Sequence, residues 1–259
     1  MADTATPIIE IKGVSKVFQL QDQTINALSD AHLSINKGEF ICLIGASGCG
    51  KSTLLRIMAG FDQPSSGDAL MWGKPIAGPD PSRGMVFQDY ALFPWLSVRD
   101  NIGFGPASRG LGSAEVKQIV DKFIDLVGLA KFANAYPHQL SGGMKQRVAI
   151  ARVLANDAEL VLMDEPFGAL DAMTRERLQD ELLEIWERTK LTVVFVTHAV
   201  EEAILLANRV VVMTPGPGRI ESDNQLDLPR PRDVASPEFN AIRRVLSAKL
   251  HSHHGKKAA

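Results

Sequence analysis

The chain has 259 residues, of which 45% are hydrophobic and 22% are charged, and its formal net charge is −2 at pH 7. This composition is typical of a globular protein with one large core, or with a core and a subdomain. The balanced charge argues against nucleic acid as a main partner, and no apolar run has the length of a membrane span. The two cysteines, Cys42 and Cys49, provide no disulfide framework, which favours a reducing compartment.

Strand patterns dominate the first ninety residues. We expect strands at residues 8–11, 14–18, 31–35, 40–44, 68–72 and 84–87, with turns at 36–39 and 64–67 and a loop at 78–81. The first residues lack the basic and apolar regions of a signal peptide. Any function at a membrane is therefore expected to depend on spans supplied by another chain.

The stretch GASGCGKST at residues 45–53 carries the most specific pattern in the sequence. It fits G-x-x-x-x-G-K-[ST], follows an apolar strand and precedes a helix pattern that ends at Gly60. Without these flanks it would be only a glycine-rich turn before a helix. With them it predicts a loop that wraps a polyphosphate with backbone N–H groups. The phosphate-binding residues are then Gly45, Ala46, Ser47, Gly48, Cys49, Gly50, Lys51, Ser52 and Thr53.

Three side chains of this loop have individual expectations. Lys51 is expected to reach the β- and γ-phosphates, and the hydroxyl of Ser52 is expected to ligate Mg²⁺. Cys49 is expected to react with thiol reagents unless nucleotide protects it.

Helical patterns replace strand patterns from about residue 92 to residue 155. An apolar stripe marks one predicted helix, which stops at Gly128; its members are Val116, Ile119, Val120, Phe123 and Val127. A helical block inside a strand-rich chain predicts an inserted subdomain.

The second distinctive stretch is LSGGMKQR at residues 140–147. Ser141 is a predicted N-cap, and Gly142 and Gly143 leave the helix start bare of side chains, so a phosphate can approach it closely. Because this helix lies in the inserted block, the simplest ligand is a nucleotide bound by a second copy in a two-fold pair. An ordinary capped helix is the alternative.

Strands return at residues 160–163, 192–196 and 210–213, and helices alternate with them. One helix carries the stripe Leu178, Leu182, Ile185 and Trp186. This alternation predicts a mainly parallel sheet covered by helices.

The C-terminal part begins with a turn at residues 215–218 and an extended Pro/Arg segment at residues 228–232. A last helix is expected at residues 237–250, with Ile242, Val245 and Leu246 on its apolar face. The tail at residues 251–259 contains His251, His253 and His254. We interpret it as a solvated tail rather than a metal site, because no carboxylate or thiol accompanies these histidines.

The sequence LSGG at residues 140–143, upstream of a strand that ends in Asp164 and Glu165, resembles the nucleotide-binding subunit of ABC transporters over residues 8–213. The resemblance implies an α/β P-loop NTPase fold with a mainly parallel sheet flanked by helices, an N-terminal antiparallel β subdomain and an inserted α-helical subdomain. Residues 8–91 and 156–213 would form a RecA-like core. Residues 92–155 would form the helical signature subdomain, and 214–259 a C-terminal extension and tail.

The resemblance also implies roles for single residues. Asp164 holds Mg²⁺ through water, Glu165 polarises the attacking water, His198 contacts the γ-phosphate, and Gln88 reaches metal and water. Phe18 matches the aromatic residue that stacks on adenine, although it is also a reasonable strand residue. Lys51 remains the phosphate ligand. The signature that contacts the partner's ATP is Leu140, Ser141, Gly142, Gly143 and Met144, and the D-loop at the dimer interface contains Ala169, Leu170 and Asp171. Met144 departs from the Gln of many relatives, which removes a polar side chain but leaves the backbone donors.

The implied function is an ATPase that uses ATP and Mg²⁺ as a homodimer, or with a related second cassette, at the cytoplasmic face of the inner membrane. Its partners would be membrane permease subunits and, indirectly, a periplasmic or lipid-anchored solute-binding protein. Stretches at residues 80–88, 92–95, 215–220 and 228–232 look like the nitrate, sulfonate and taurine importer branch. The alternatives are a non-transport ABC ATPase that acts on ribosomes or DNA, and a P-loop kinase, which the signature argues against.

An aromatic cluster follows Gln88 and consists of Tyr90, Leu92, Phe93, Pro94 and Trp95. An exposed cluster of this kind predicts a docking groove for the permease. The alternative is a core of the helical subdomain.

Overall fold

The computed structural model describes residues 6–20, 23–168 and 170–251, and for Leu20 and His251 the backbone alone. Its contacts divide the chain into two compact units. The first unit comprises Met1–Pro79 and Lys190–Ala259, and the second comprises Asp80–Thr189.

The described residues form strands and helices throughout. The strands are β1 (Ile9–Leu20), β2 (Gln23–Ile35), β3 (Phe40–Gly45), β4 (Ser66–Met71), β5 (Lys74–Pro75), β6 (Arg83–Val86), β7 (Leu160–Asp164), β8 (Thr192–Thr197), β9 (Arg209–Thr214) and β10 (Arg219–Gln225). The helices are α1 (Lys51–Ala59), α2 (Val98–Ser108), α3 (Ser113–Leu126), α4 (Gly142–Ala155), α5 (Ala172–Thr189), α6 (Val200–Leu206) and α7 (Pro237–His251), and two 3-10 turns cover Ala130–Phe132 and Pro137–Gln139. None of the helices in the described part of the chain has the length and apolar character to span a bilayer.

The first unit contains an antiparallel sheet in the order β2-β1-β4-β5. The strand predictions here are confirmed, but β2 begins at Gln23, before the predicted start at residue 31, because its first four residues pair with β1 while staying exposed. Strand β4 begins at Ser66, inside the predicted turn. Gly67 allows this start, since its φ is +79° and a Cβ there would lie 2.3 Å from the carbonyl oxygen of Gly13.

The parallel strands of the first unit are centred on β3. It pairs in parallel with β8 on one side and with β9 on the other, and β3 and β8 are buried along their whole length. Strand β10 extends this group antiparallel to β9 and was not predicted, because its polar residues alternate between exposed and half-buried positions.

The extended segment after β10 lies against the end of α6. Arg232 donates from Nη1 to the carbonyl oxygens of Ala207, at 2.5 Å, and Ile204, and Arg230 donates to that of Leu206. These carbonyls belong to the last turn of α6, where helices lack internal donors. Burial, and secondarily the nearby charge of Arg230, lowers the pKa of Arg232 to about 10. On α7, Phe239 and Leu246 are buried; the prediction for Val245 is wrong, because it is 56% exposed.

The second unit combines two parallel strands, β6 and β7, with helices α2 to α5. Residues 92–155 are all described and none of them lies in a strand, as the helical patterns predicted. On α3 the buried residues are Val120 and Ile124, whereas the predicted Ile119 and Phe123 are only half-buried. Helix α4 approaches β6 so closely that a Cβ on Gly84 would lie 2.0 Å from Cγ1 of Val153.

Candidate active site

The glycine-rich loop connects β3 directly to α1. Strand β3 ends at Gly45 and α1 begins at Lys51, after Gly50 in the left-handed conformation with φ of +87°. No side chain caps the start of α1. The helix dipole therefore favours negative charge at this uncapped start, as in sites that bind anions at a helix N-terminus.

Two glycines of the loop are required by close packing. A Cβ on Gly45 would lie 2.6 Å from the carbonyl oxygen of Met213, and one on Gly50 would lie 2.7 Å from that of Ala27. Gly218 also packs on the loop, since a Cβ there would lie 2.1 Å from the carbonyl oxygen of Cys49. The sequence predicts the turn at residues 215–218 but not its contact with the loop. Gly218, the second glycine of this turn, was the residue that could have indicated such a close approach.

Lys51 lies at the centre of the loop. Its side chain is buried, with the residue only 6% exposed, and Nζ donates to the carbonyl oxygens of Gly45 at 2.7 Å and Ala46 at 3.1 Å. An ammonium held on carbonyls in this way is a fixed positive charge beside the start of α1. Ser47, Gly48 and Ser52 are exposed at the rim of the loop.

Cys49 does not have the surroundings of a reactive thiol. It is 1% exposed, and burial raises the pKa of its thiol although Lys51 partly offsets this. Thiol reagents attack the thiolate, so this environment argues against the expected reactivity.

His198 leaves the parallel strands at the same edge as the loop. Ile44 of β3 pairs with Thr197 of β8, so Gly45 and His198 follow neighbouring strands. The N–H of Ala199 donates to Oγ1 of Thr197 at 3.0 Å, which shapes the turn after the strand, and His198 itself is exposed. The carboxyl ends of parallel strands are where ligands bind in α/β proteins.

Phe18 is half-buried on β1, opposite Ile25 of β2. The ammonium of Lys16 lies 5.0 Å from the centre of its ring. This face of the ring therefore already carries a cation, and adenine stacking on Phe18 stays a prediction.

Gln88, Asp164 and Glu165 follow the two parallel strands of the second unit. Val86 pairs with Met163, so Gln88 and Glu165 leave β6 and β7 at the same edge. Glu165 has a φ of 46°, an uncommon conformation for a residue with a side chain. The N–H of Gly168 donates to the carbonyl oxygen of Glu165 at 3.1 Å, and Nε2 of Gln88 lies 3.5 Å from the Cβ position of Gly168.

The signature residues start α4 as the sequence predicted. The hydroxyl of Ser141 accepts from the N–H of Met144 at 3.3 Å, and Ser141 is exposed. Gly142 and Gly143 also serve packing, since Cβ atoms there would lie 3.1 Å from Cδ2 of Leu170 and 3.3 Å from Cδ1 of Leu178. The helix start thus combines an exposed cap with small residues on its inner side.

In the D-loop, Asp171 accepts from the N–H of Thr174 at 3.0 Å, which caps α5, and this hydrogen bond lowers the pKa of its carboxyl. The carbonyl oxygen of Leu170 accepts from Arg175 at 2.8 Å. Ala169 lies outside the described residues, as do His253 and His254.

The donors expected for Mg²⁺ fit its chemistry. The hydroxyl of Ser52, the carboxylate of Asp164 and the amide oxygen of Gln88 are the hard oxygen ligands that Mg²⁺ prefers. Within residues 6–20, 23–168 and 170–251, no group of three or more His, Cys, Asp or Glu side chains forms a metal cage. Such donors suit a metal that arrives with phosphate oxygens and retains waters.

A family profile described as ABC transporter matches residues 28–168. The chain belongs to the ABC transporter family. It is 48% identical to the taurine import ATP-binding protein of Roseobacter denitrificans. The match covers 84% of this chain and 82% of that protein. It is also 47% identical to the nitrate import ATP-binding protein of Synechococcus elongatus. That match covers 93% of this chain and 91% of that protein.

The ABC fold is confirmed at the level of structure. A dimeric ATP-binding cassette in a post-hydrolysis state, bound to ADP and Pi, superposes with a TM-score of 0.73 at 32% identity, and the match covers 85% of this ABC chain and 99% of that one. The resemblance inferred from the motifs and the predicted α/β class are therefore correct. The roles of individual residues stay predictions.

Proposed function

We propose that this ABC chain is the ATP-binding and ATP-hydrolysing subunit of a bacterial importer for nitrate, sulfonate, taurine or a related small solute. The observation that carries the proposal is the buried ammonium of Lys51 beside the uncapped start of α1. This is the charge pattern that binds a nucleoside triphosphate. The names of the taurine and nitrate relatives support the assignment to import.

Lys51 and the N–H groups of the loop bind the β- and γ-phosphates of ATP, and the exposed hydroxyl of Ser52 offers an oxygen ligand. Asp164 and Gln88 would hold Mg²⁺ together with Ser52. When bound, Mg²⁺ neutralises charge on the phosphate oxygens.

Glu165 accepts the proton of the attacking water, and its backbone departs from the extended conformation of β7 at this residue. His198 contacts the γ-phosphate and orients it for in-line attack, and Gln88 positions the water. The chain thus contributes position and charge rather than a covalent intermediate.

Two copies are proposed to bind ATP between them. The backbone donors at Ser141, Gly142 and Gly143 of one copy would complete the phosphate site on the loop of the other. The exposed Ser141 cap supports this arrangement, as does the dimeric form of the related cassette.

The aromatic cluster after Gln88 is proposed to dock a cytoplasmic helix of the permease. None of its five residues is buried, and Trp95 is 71% exposed, so the alternative of a subdomain core is not supported. The ring of Phe93 lies 5.7 Å from that of Trp95 and 4.6 Å from that of Phe104. We call Phe93, Trp95 and Phe104 the aromatic platform. Beside it, a groove of about 670 Å³ opens between α2 and α3, with Leu96, Gly103 and Val120 in its walls.

Docking on a permease would hold the chain at the cytoplasmic face of the inner membrane, and a periplasmic or lipid-anchored solute-binding protein would deliver the solute. The relatives are named for different cargoes, and no contact among the residues that the structure describes favours one of them. Choice of solute is therefore assigned to the binding protein and the permease.

The proposal is tested by co-expressing the chain with candidate permease subunits and purifying the complex. We expect Mg²⁺-dependent ATPase activity that falls at least about 10²-fold in Lys51→Met. The matched Lys12→Met, on an exposed part of β1, should retain it. Trp95→Ala should release the permease while leaving ATP binding intact. Specific capture of ribosomes or DNA in place of the permease would support the non-transport alternative and overturn import.

A further inference from the structure

The segment between Gln88 and the aromatic platform has an unusual backbone. Tyr90 and Ala91 have φ angles of 64° and 44°, so two consecutive residues with side chains adopt the left-handed conformation. Such residues persist only where surrounding contacts hold them. Besides the hydrogen bond of the Tyr90 N–H to the carbonyl oxygen of Phe87, contacts that hold this pair come from α4, the helix that begins at the signature.

Arg152, in the last turn of α4, binds both carbonyl groups of the pair. Its Nη1 donates to the carbonyl oxygen of Ala91 at 2.6 Å and its Nη2 donates to that of Tyr90 at 3.2 Å. The guanidinium carbon also lies 5.6 Å from the centre of the Phe93 ring. One planar side chain therefore fixes the segment and contacts the platform at the same time.

The other end of the segment is held by Asn101 of α2. Asn101 is fully buried; its Oδ1 accepts from the N–H of Phe93 at 2.9 Å, and its Nδ2 donates to the carbonyl oxygens of Phe93 at 3.1 Å and Leu96 at 3.0 Å. Asn101 belongs to the same helix as Phe104 and so anchors the platform to α2. Arg152 is a polar contact between the platform segment and α4.

Helix α4 is a continuous element from Gly142 to Ala155. It carries the signature cap at its first turn and Arg152 at its last. A helix moves largely as a unit, so a displacement at its start reaches its end. Burial lowers the pKa of the Arg152 guanidinium, which is consistent with a group taken out of water and satisfied by carbonyls.

We propose that Arg152 is a positioning residue that transmits movement of the signature helix to the permease-docking platform, by holding the carbonyls of Tyr90 and Ala91. The inference rests on the proposed function, because it assigns α4 to nucleotide and the platform to the permease. It adds a mechanical connection within the second unit that none of the ABC motifs contains.

The test is hydrogen exchange of the peptide that spans residues 89–97, with and without MgATP, in a Glu165→Gln background that retains nucleotide. The amides of Tyr90, Phe93 and Leu96 are hydrogen-bonded and therefore report opening of the segment. Arg152→Met removes the guanidinium group that donates to both carbonyl oxygens. Arg152→Lys keeps the positive charge but not the planar pair of donors. Arg147→Met is the matched control, because Arg147 also lies on α4 and binds a backbone carbonyl, that of Val127, at 3.0 Å.

In the Glu165→Gln parent and in Arg147→Met, MgATP should change exchange both at the start of α4 and at residues 89–97. In Arg152→Met, the peptide at residues 89–97 should exchange about tenfold faster, since a charged donor to its carbonyls is lost, and should no longer respond to MgATP. The start of α4 should still respond. Arg152→Lys should recover only part of the coupling.

A nucleotide response at residues 89–97 that persists in Arg152→Met would overturn the inference, as would its equal loss in Arg147→Met. Equilibrium binding of MgATP is measured on each variant. Failure of the Glu165→Gln parent to bind MgATP would contradict the proposed function instead, so the two failures are distinguishable.

Discussion

Glu165 combines a proposed chemical role with an uncommon backbone conformation. It follows β7 directly, and its φ of 46° turns the chain at the point where the carboxylate is presented. Residues held in such conformations concentrate at functional sites, because the surrounding structure must impose them. The sequence identified the residue by its position after Asp164 but did not show this turn, because a glutamate does not mark a positive φ as a glycine does.

Replacing Glu165 by Gln keeps the size and shape of the side chain and removes the base. We expect ATP turnover to fall at least about 10²-fold, while ATP binding persists and an ATP-bound dimer accumulates. Steady-state ATPase assays and size-exclusion chromatography with MgATP measure both effects. A wild-type rate in this variant would refute the role of Glu165 as the base.

Asp171 allows a prediction about acid stability. Its folded pKa lies below the ordinary value because its carboxylate accepts the N–H of Thr174. It therefore stabilises the fold above the unfolded pKa, and this contribution is lost as the pH falls through the lower folded value. Asp171→Ala should lower the melting temperature at pH 7, with a difference that shrinks toward pH 3.

Asp171→Asn is the matched control for that prediction. Asn still accepts the hydrogen bond at the start of α5 but does not titrate. It should retain most of the wild-type melting temperature at pH 7 and lack the same acid-dependent loss. A constant difference between wild type and Asp171→Ala across this pH range would contradict the assignment.

At the scale of elements, the contact between β6 and α4 depends on a missing side chain. A Cβ on Gly84 would overlap Cγ1 of Val153, at 2.0 Å. This contact places the strand before Gln88 directly against the signature helix. Neither the strand pattern nor the helix pattern contains this information, because each residue looks ordinary within its own element.

Gly84→Ala should therefore destabilise the protein by about 1–3 kcal/mol through overpacking. Val153→Ala alone should cost less than about 2 kcal/mol, by leaving a small cavity. The double variant should be more stable than the sum of the two changes predicts, because each change relieves the other. Chemical denaturation of the four proteins measures this coupling, and strict additivity would argue against the contact.

The elements that could be predicted from sequence were those with a strong local signal. The P-loop, the Ser141 cap and the apolar strands β3, β7 and β8 are set by short patterns, and the structure has them as expected. Strand β10 was missed because it is a polar edge strand whose conformation is fixed by pairing with β9. The hydrogen bonds of Arg152 could not be predicted from sequence either, because 61 residues separate Arg152 from Ala91 in the chain.

At the scale of the whole molecule, the proposed dimer predicts complementation between two inactive variants. Ser141→Arg places a bulky cation at the signature, and Lys51→Ala removes the phosphate ligand. If each site uses the loop of one copy and the signature of the other, a mixed dimer has one intact site and one doubly damaged site. Mixing the two variants should therefore restore ATPase activity that neither has alone.

Random exchange makes half of the dimers mixed, so recovery of up to about a quarter of the wild-type rate per chain is expected. As a control, two separate preparations of Ser141→Arg are mixed in the same way. Subunits then exchange without forming an intact site, so no activity should appear. If loop and signature served the same nucleotide within one copy, mixing would recover nothing.

The arginine contacts on α6 bear on where this ATPase can be shortened or fused. The family match ends at residue 168, and the last proposed catalytic residue is His198. However, Arg230 and Arg232 satisfy the last carbonyls of the helix that follows His198, and Arg243 of α7 pairs with Glu201 at 2.5 Å. A boundary drawn at the motifs would remove these supports and loosen α6. Reporter or affinity fusions at the C-terminus should therefore start beyond α7, so that the minimal functional unit includes a segment with no nucleotide motif of its own.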